Sequence, residues 1–127
     1  MRPRVIVVDD QKYLRDIIAA ILDDAGYPAV AVGTAQEALE HLDTFAADLI
    51  VLDASLPGTS GLAFLDYLRA NPAWRTLPVV MVSGDPGKLA AVEGLPQVVA
   101  LTKPFDANVL VEVATAFVGP PLLSRPV

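Results

Sequence analysis

Hydrophobic residues along this chain fall into short unbroken runs, separated by longer stretches where apolar positions recur at helical spacing. The runs Arg4–Val8, Ala29–Val32, Asp48–Asp53, Pro78–Ser83 and Val98–Leu101 are brief, β-branched and largely non-alternating. That is the pattern of strands covered on both faces. Between the first two runs, Leu14, Ile17, Ile18, Ile21, Leu22 and Ala25 share one helical face, and Gly26 supplies a stop. The second helix opens on T-A-Q-E, a capping box in which Thr34 and Glu37 each satisfy the other's free backbone donor, ahead of an inner face of Ala35, Ala38, Leu39 and Leu42. Leu62, Leu65 and Leu68 mark a third helix that runs out near Asn71-Pro72. Asp85-Pro86 reads as an N-cap followed by proline at the first helical position, in a helix kept short by Gly94. Asp106 caps a last helix whose face is Val109, Leu110, Val113 and Phe117.

Five strands alternating with five helices predict an α/β fold, a doubly wound parallel sheet with helices on both sides. No internal repeat, linker or low-complexity run interrupts the pattern. The segment G-P-P-L-L-S-R-P-V at 119–127 cannot continue a helix and is expected to be extended or mobile. Leu122 and Leu123 within it are candidates to dock on a partner or on this domain.

Composition narrows the picture by exclusion. A chain of 127 residues makes one domain. No apolar run approaches the ~20 residues of a membrane span, and the start M-R-P-R-V-I-V-V-D-D meets acid too early for a signal peptide. There is no cysteine, hence no disulfide framework and no thiolate site. The formal charge of −6 argues against a nucleic-acid surface, which needs a basic stripe. A cytoplasmic, soluble domain without membrane or nucleic-acid partners is the expectation.

The charges sit in informative places. The stretch D-L-I-V-L-D-A-S-L-P at 48–57 carries a hydrophobic ribbon up to one carboxylate, Asp53, which is costly to desolvate without compensation. Asp9 and Asp10 end the first strand. In the flavodoxin-like strand order 2-1-3-4-5, strands one and three are neighbours at the switch point where ligands bind. Asp9, Asp10 and Asp53 would then crowd one crevice, where like charges raise one another's pKa unless a cation lies among them. An all-oxygen set open to water suits Mg²⁺. Taken singly, Asp9 or Asp10 is ordinarily a helix N-cap, and an acid after a strand is a solvated loop residue. Ser83 ends the fourth strand in V-V-M-V-S-G, and Lys103 follows the fifth in A-L-T-K-P-F. A hydroxyl and an ammonium beside a metal-bound carboxylate form a receptacle for phosphoryl oxygens, although each alone is an ordinary strand-end serine or surface lysine.

At this point the sequence resembles the receiver domain of two-component response regulators, of the single-domain chemotaxis-regulator-like type. The resemblance runs from about Arg4 to Val118 and rests on Asp9-Asp10, the run V-L-D-A-S-L-P-G-T-S-G with Asp53, Pro57 and Gly61, the serine after strand four, and K-P-F. It implies a receiver domain over 1–118 followed by a Pro-rich tail at 119–127 with no output domain. It implies that Asp53 is the phosphoacceptor, taking a phosphoryl group from a sensor histidine kinase or histidine phosphotransfer protein. Asp10, Asp53 and the backbone carbonyl of Ser55 would bind Mg²⁺ directly, with Asp9 acting partly through water. Lys103 and Ser83 would each hold a phosphoryl oxygen, and the bond before Pro104 would be cis. Such a protein is not an enzyme in the usual sense; it assists its own phosphorylation and dephosphorylation, and it signals by binding a downstream protein target.

The chain departs from the family's pattern at Ala100, where an aromatic three residues before the lysine is usual. The stretch from Ser83 to Lys103 is about two residues shorter than is common, and Gly84 replaces a frequent alanine. These departures imply intact phosphorylation chemistry with an altered output switch. By analogy Ser55 and Asp85 flank the path by which water reaches the acyl phosphate; both are otherwise solvated loop residues. Two other functions compete. A haloacid-dehalogenase-type phosphohydrolase would also use Asp53 as nucleophile, but it needs a second acid where Ser55 stands, and a cap insertion. A phosphorylation-independent adaptor would keep the acid pocket as a relic, which Ala100 favours and the intact residue set opposes.

Overall fold

The computed structural model describes residues 3–121. The elements follow in strict alternation: β1 (Val5–Val8), α1 (Lys12–Asp24), β2 (Ala29–Val32), α2 (Ala35–Thr44), β3 (Leu49–Asp53), α3 (Gly61–Ala70), β4 (Val79–Ser83), α4 (Pro86–Ala90), β5 (Val98–Thr102) and α5 (Ala107–Val118). The five strands form one parallel sheet in the order β2-β1-β3-β4-β5. This is the flavodoxin-like order the sequence predicts, and it makes β1 and β3 neighbours at the switch point.

The register explains the layering. Val5, Val7, Leu49, Val51, Val80 and Val82 point to one face, where they pack with Ile18, Leu22, Leu110 and Ala114 of α1 and α5. Ile6, Val8, Ile50, Leu52, Val79 and Met81 point to the other, against Ala38, Leu42, Phe64, Leu65 and Leu68 of α2 and α3. Strands covered on both faces need no polar alternation, which is why the runs are so uniformly aliphatic. Each fully buried aliphatic side chain contributes roughly 1.5–3 kcal/mol, enough in sum to carry a charged crevice at the sheet's edge.

Helix starts follow local chemistry. Thr34 accepts from the Glu37 N–H at 3.1 Å, as the capping box requires. The reciprocal half differs from expectation: Glu37 Oε1 takes the N–H of Gly33 and the hydroxyl of Thr34 rather than the Thr34 N–H. Ser60, Asp85 and Asp106 cap α3, α4 and α5. Two expected core positions face outward instead. Val109 is 40% exposed and Ile17 37%, because the buried stripe of α5 centres on Leu110 and Ala114 and that of α1 on Ile18 and Leu22.

At the amino edge, fully buried Tyr27 bonds through its hydroxyl to Thr115 Oγ1 at 2.7 Å and donates to the carbonyl of Gly119 at 2.8 Å. Pro121 lies so close to Gly26 that an added Cβ there would meet it at 2.8 Å. The first residues after α5 are therefore seated on the α1–β2 turn. The expectations for Leu122 and Leu123, and for the rest of the tail, lie outside the described residues. Among the described residues no helix is long and apolar enough to cross a membrane.

Candidate functional site

The carboxyl ends of β1, β3, β4 and β5 deliver the chemistry-bearing residues to one crevice. Asp9 follows β1 and is 2% exposed; Asp53 is the last residue of β3 and 5% exposed; Asp10 is exposed. One carboxylate oxygen from each of Asp9, Asp10 and Asp53 lies within 4.8 Å of the others. Lys103, just past β5, sends its ammonium to Asp9 Oδ2 at 3.1 Å and to Asp53 Oδ1 at 3.6 Å. Ser83 ends β4 and is buried, and its Oγ accepts the N–H of Asp85 at 3.0 Å. Among the described residues the Ser83 hydroxyl donates to no partner, so its proton is available. The Lys103–Pro104 bond is cis, as the resemblance implies.

Neither Asp9 nor Asp10 is a helix cap. The N-cap of α1 is Gln11, which makes no side-chain cap bond. Asp9 Oδ1 instead accepts the Gln11 N–H at 2.9 Å, folding the loop so that its other oxygen meets Lys103. The loop is braced from behind by Arg15 of α1, whose guanidinium donates to the backbone carbonyls of Asp9 and Asp10 at 3.2 and 3.3 Å. Arg15 carries only a faint signal in the sequence, an arginine five residues beyond an acid pair.

Asp53 is held at one oxygen only. Its Oδ1 accepts the Ser55 N–H at 3.0 Å and faces Lys103, whereas no hydrogen bond reaches Oδ2 among the described residues. Oδ2 is therefore the oxygen available to a ligand or an electrophile. The position depends on Gly61 at the start of α3. A Cβ there would stand 2.2 Å from the Asp53 carbonyl oxygen and 2.7 Å from Ala54 Cα, and the Gly61 N–H donates to the Ala54 carbonyl at 3.1 Å. Only a residue without a side chain lets α3 begin so close to the strand it follows.

Burial pushes the Asp53 carboxyl above its ordinary value; the Ser55 N–H and Lys103 pull it down, and the neighbouring Asp9 and Asp10 charges push it up. Three carboxylates against one paired ammonium leave an excess of negative charge on hard oxygen atoms, with Asp10 open to solvent. That donor set fits a small divalent cation that keeps part of its water, as Mg²⁺ does.

The remaining sequence candidates divide. Ser55 is exposed, and its hydroxyl accepts from Lys88 Nζ at 2.7 Å, a contact with no signal in the sequence. Asp85 turns toward its own helix, accepting the Gly87 N–H at 2.9 Å. Ala100 is exposed on β5, opposite Met81 of β4, and it helps line a cavity of about 440 Å³ with Leu89, Val92, Val98 and Thr102.

The family model for the response regulator receiver domain matches residues 5–115. Among curated proteins, the phosphate regulon transcriptional regulatory protein PhoB of Escherichia coli is 33% identical over 113 residues, 87% of this chain and 49% of that protein. The regulatory protein VanR of Enterococcus faecium is 34% identical over 95 residues, 75% of this chain and 40% of that one. The chain thus spans less than half the length of these relatives. Among solved structures, the receiver domain of NtrX from Brucella abortus superposes with a TM-score of 0.78 at 34% identity, covering 88% of this chain and 95% of that one. The chemotaxis protein CheY4 of Vibrio cholerae shares the fold, with a TM-score of 0.84 at 24% identity over 93% of this chain and all of its own.

Proposed function

This chain belongs to the response regulator receiver domain family, and from that premise we propose that Asp53 accepts a phosphoryl group in two-component signalling. Receiver domains of this family work with sensor histidine kinases and phosphotransfer proteins, so the donor is a phosphohistidine. Asp53 Oδ2 forms a bond to phosphorus as the bond from phosphorus to the imidazole nitrogen breaks, and the imidazole leaves. Phosphoryl transfer requires mainly positioning and charge neutralisation. The Ser55 N–H and Lys103 engage Oδ1, which leaves Oδ2 without a hydrogen bond among the described residues and able to attack. Lys103 offers its ammonium to one phosphoryl oxygen. Ser83 offers its hydroxyl proton to another. Asp10, Asp53 and the Ser55 carbonyl would hold Mg²⁺, with Asp9 acting partly through water; when bound, the ion supplies the positive charge that the carboxylates lack.

The protein is a phosphoacceptor that assists its own phosphorylation and dephosphorylation, rather than a turnover enzyme. Its phosphorylated form is read by a downstream protein target, and Ala100 makes that readout different from one built on an aromatic. The observation that carries this reading is the meeting of three acid oxygens within 4.8 Å, with one lysine paired to two of the carboxylates.

The test is incubation with Mg²⁺ and acetyl phosphate, followed by intact mass. A labile adduct in the wild type that is lost in Asp53→Asn supports the phosphoacceptor. Sustained turnover of many organic phosphates would assign a phosphohydrolase instead. No adduct with acetyl phosphate or with any phosphorylated kinase would leave a phosphorylation-independent adaptor.

A further inference from the structure

Lys88 is a cation at this site for which neither the acid cluster nor the motif set accounts. It is the third residue of α4 and half-buried, and its Nζ donates to Ser55 Oγ at 2.7 Å across 33 residues of sequence. Ser55 in turn donates its N–H to Asp53 Oδ1 at 3.0 Å. Two hydrogen bonds therefore connect an ammonium on α4 to the phosphoacceptor carboxylate. The start of the same helix is tied to Ser83: the Asp85 N–H donates to Ser83 Oγ at 3.0 Å, and the Asp85 carboxylate accepts the Gly87 N–H. Lys88 thus leaves an element fixed to the end of β4 and lands on the loop leaving β3, its neighbour in the sheet. The bridge crosses the gap between those two strand ends, on the solvent side of buried Asp53 and Ser83.

Resting on the phosphoacceptor role proposed above, we propose that Lys88 is a positioning residue which, through Ser55, closes the approach of water to the aspartyl phosphate and so prolongs its lifetime. Hydrolysis forms a bond from the water oxygen to phosphorus while the phosphorus–oxygen bond to Asp53 breaks. The carboxylate is regenerated, and the protons of the water pass to inorganic phosphate and solvent. The water must arrive opposite the Asp53 oxygen, from the open carboxyl edge, which is the side that the Lys88–Ser55 bridge spans. The phosphoryl group also adds negative charge beside an ammonium that sits in no ion pair among the described residues. Both bridging groups reach solvent, so their removal affects this rate far more than folding.

The test is the first-order decay of the acetyl-phosphate adduct in Mg²⁺ buffer, followed by intact mass, with the melting temperature recorded for each variant. Lys88→Met keeps the length of the stem and removes the charge; its adduct decays about fivefold faster than wild type, the size of effect expected from one lost hydrogen bond. Ser55→Ala accelerates decay comparably, and the double variant decays no faster than the quicker single one. Lys88→Arg, which restores a cationic donor, lies closer to wild type than to Lys88→Met. Decay of Lys88→Met at the wild-type rate, multiplied effects in the double variant, or Lys88→Arg no slower than Lys88→Met would each overturn the assignment. A wild type that forms no adduct at all would remove the phosphoacceptor reading itself, which is a distinct outcome.

Discussion

Two parts of the same sheet edge are built to different standards. Around β1, β3 and β4 the strands are buried along their whole length, and the acid site at their ends is held from several directions: Arg15 behind Asp9 and Asp10, Lys103 between Asp9 and Asp53, and Gly61 against the Asp53 carbonyl. Around α4 and β5 the helix has only five residues, the edge strand is only partly buried, and Ala100 opens onto a cavity of about 440 Å³. Packed surroundings fix carboxylates to within the tolerance that phosphoryl transfer demands. A loosely filled region can change shape at low cost. The acid site sits in the closely packed part of the sheet, and the departures from the family's pattern, Gly84 and Ala100, fall around α4 and β5.

Three measurements bear on that contrast. The largest effect is expected on the rigid side, from Gly61→Ala. The new methyl group would stand 2.2 Å from a backbone oxygen, so α3 and the end of β3 must separate. We expect a loss of roughly 2–4 kcal/mol in urea unfolding, with weakened adduct formation on Asp53. A change below ~0.5 kcal/mol would mean that the frame around Asp53 yields readily, and the contrast would fail.

A smaller effect, of opposite sign, is expected from the site's own charge. Asp53 holds its proton more tightly in the folded chain than its ordinary value of 3.8, chiefly because it is buried. The unfolded chain therefore releases that proton first as pH rises, and the folded state loses stability through this interval and stays penalised above it. In metal-free buffer Asp53→Asn should be more stable than wild type by ~1 kcal/mol at neutral pH, an increment typical of relieving a functional site. The advantage should shrink as pH falls back through the carboxylate range and vanish where both states are protonated. A constant difference across a pH series of urea unfolding curves would show that this carboxylate is not the origin.

The smallest effect belongs to the loose side. Ala100→Phe places a ring beside an existing cavity at an exposed strand position, where neither clash nor deep burial follows. We expect stability within ~0.5 kcal/mol of wild type and an unaltered adduct yield. A destabilisation as large as that of Gly61→Ala would show that the two regions are equally constrained.

The strands were legible because two-sided burial leaves an aliphatic run with little competing signal; the ends of β2 and β4 fall within a residue of their sequence expectation. The acid site was legible because strand order converts Asp9, Asp10, Asp53, Ser83 and Lys103, scattered over the chain, into one edge. What sequence could not provide was side-chain direction. Periodicity alone cannot say that Val109 and Ile17 lie at the rim of their stripes rather than inside them. Nor can it say that Glu37 reaches past Thr34 to the Gly33 N–H, or that Asp85 faces its own helix. Lys88 and Ser55, 33 residues apart, meet only because α4 is short and starts where it does.

The seating of residues 119–121 has a practical reach. Tyr27 fastens Gly119 beside the α1–β2 turn, and the end of α5 lies among residues that precede β1, β3 and β4, so the chain departs from the pole of the molecule opposite Asp53. A fluorophore, a biotin handle or a surface tether attached at that pole leaves the acidic crevice unobstructed, and a bulky kinase can be presented to the immobilised protein from the other side.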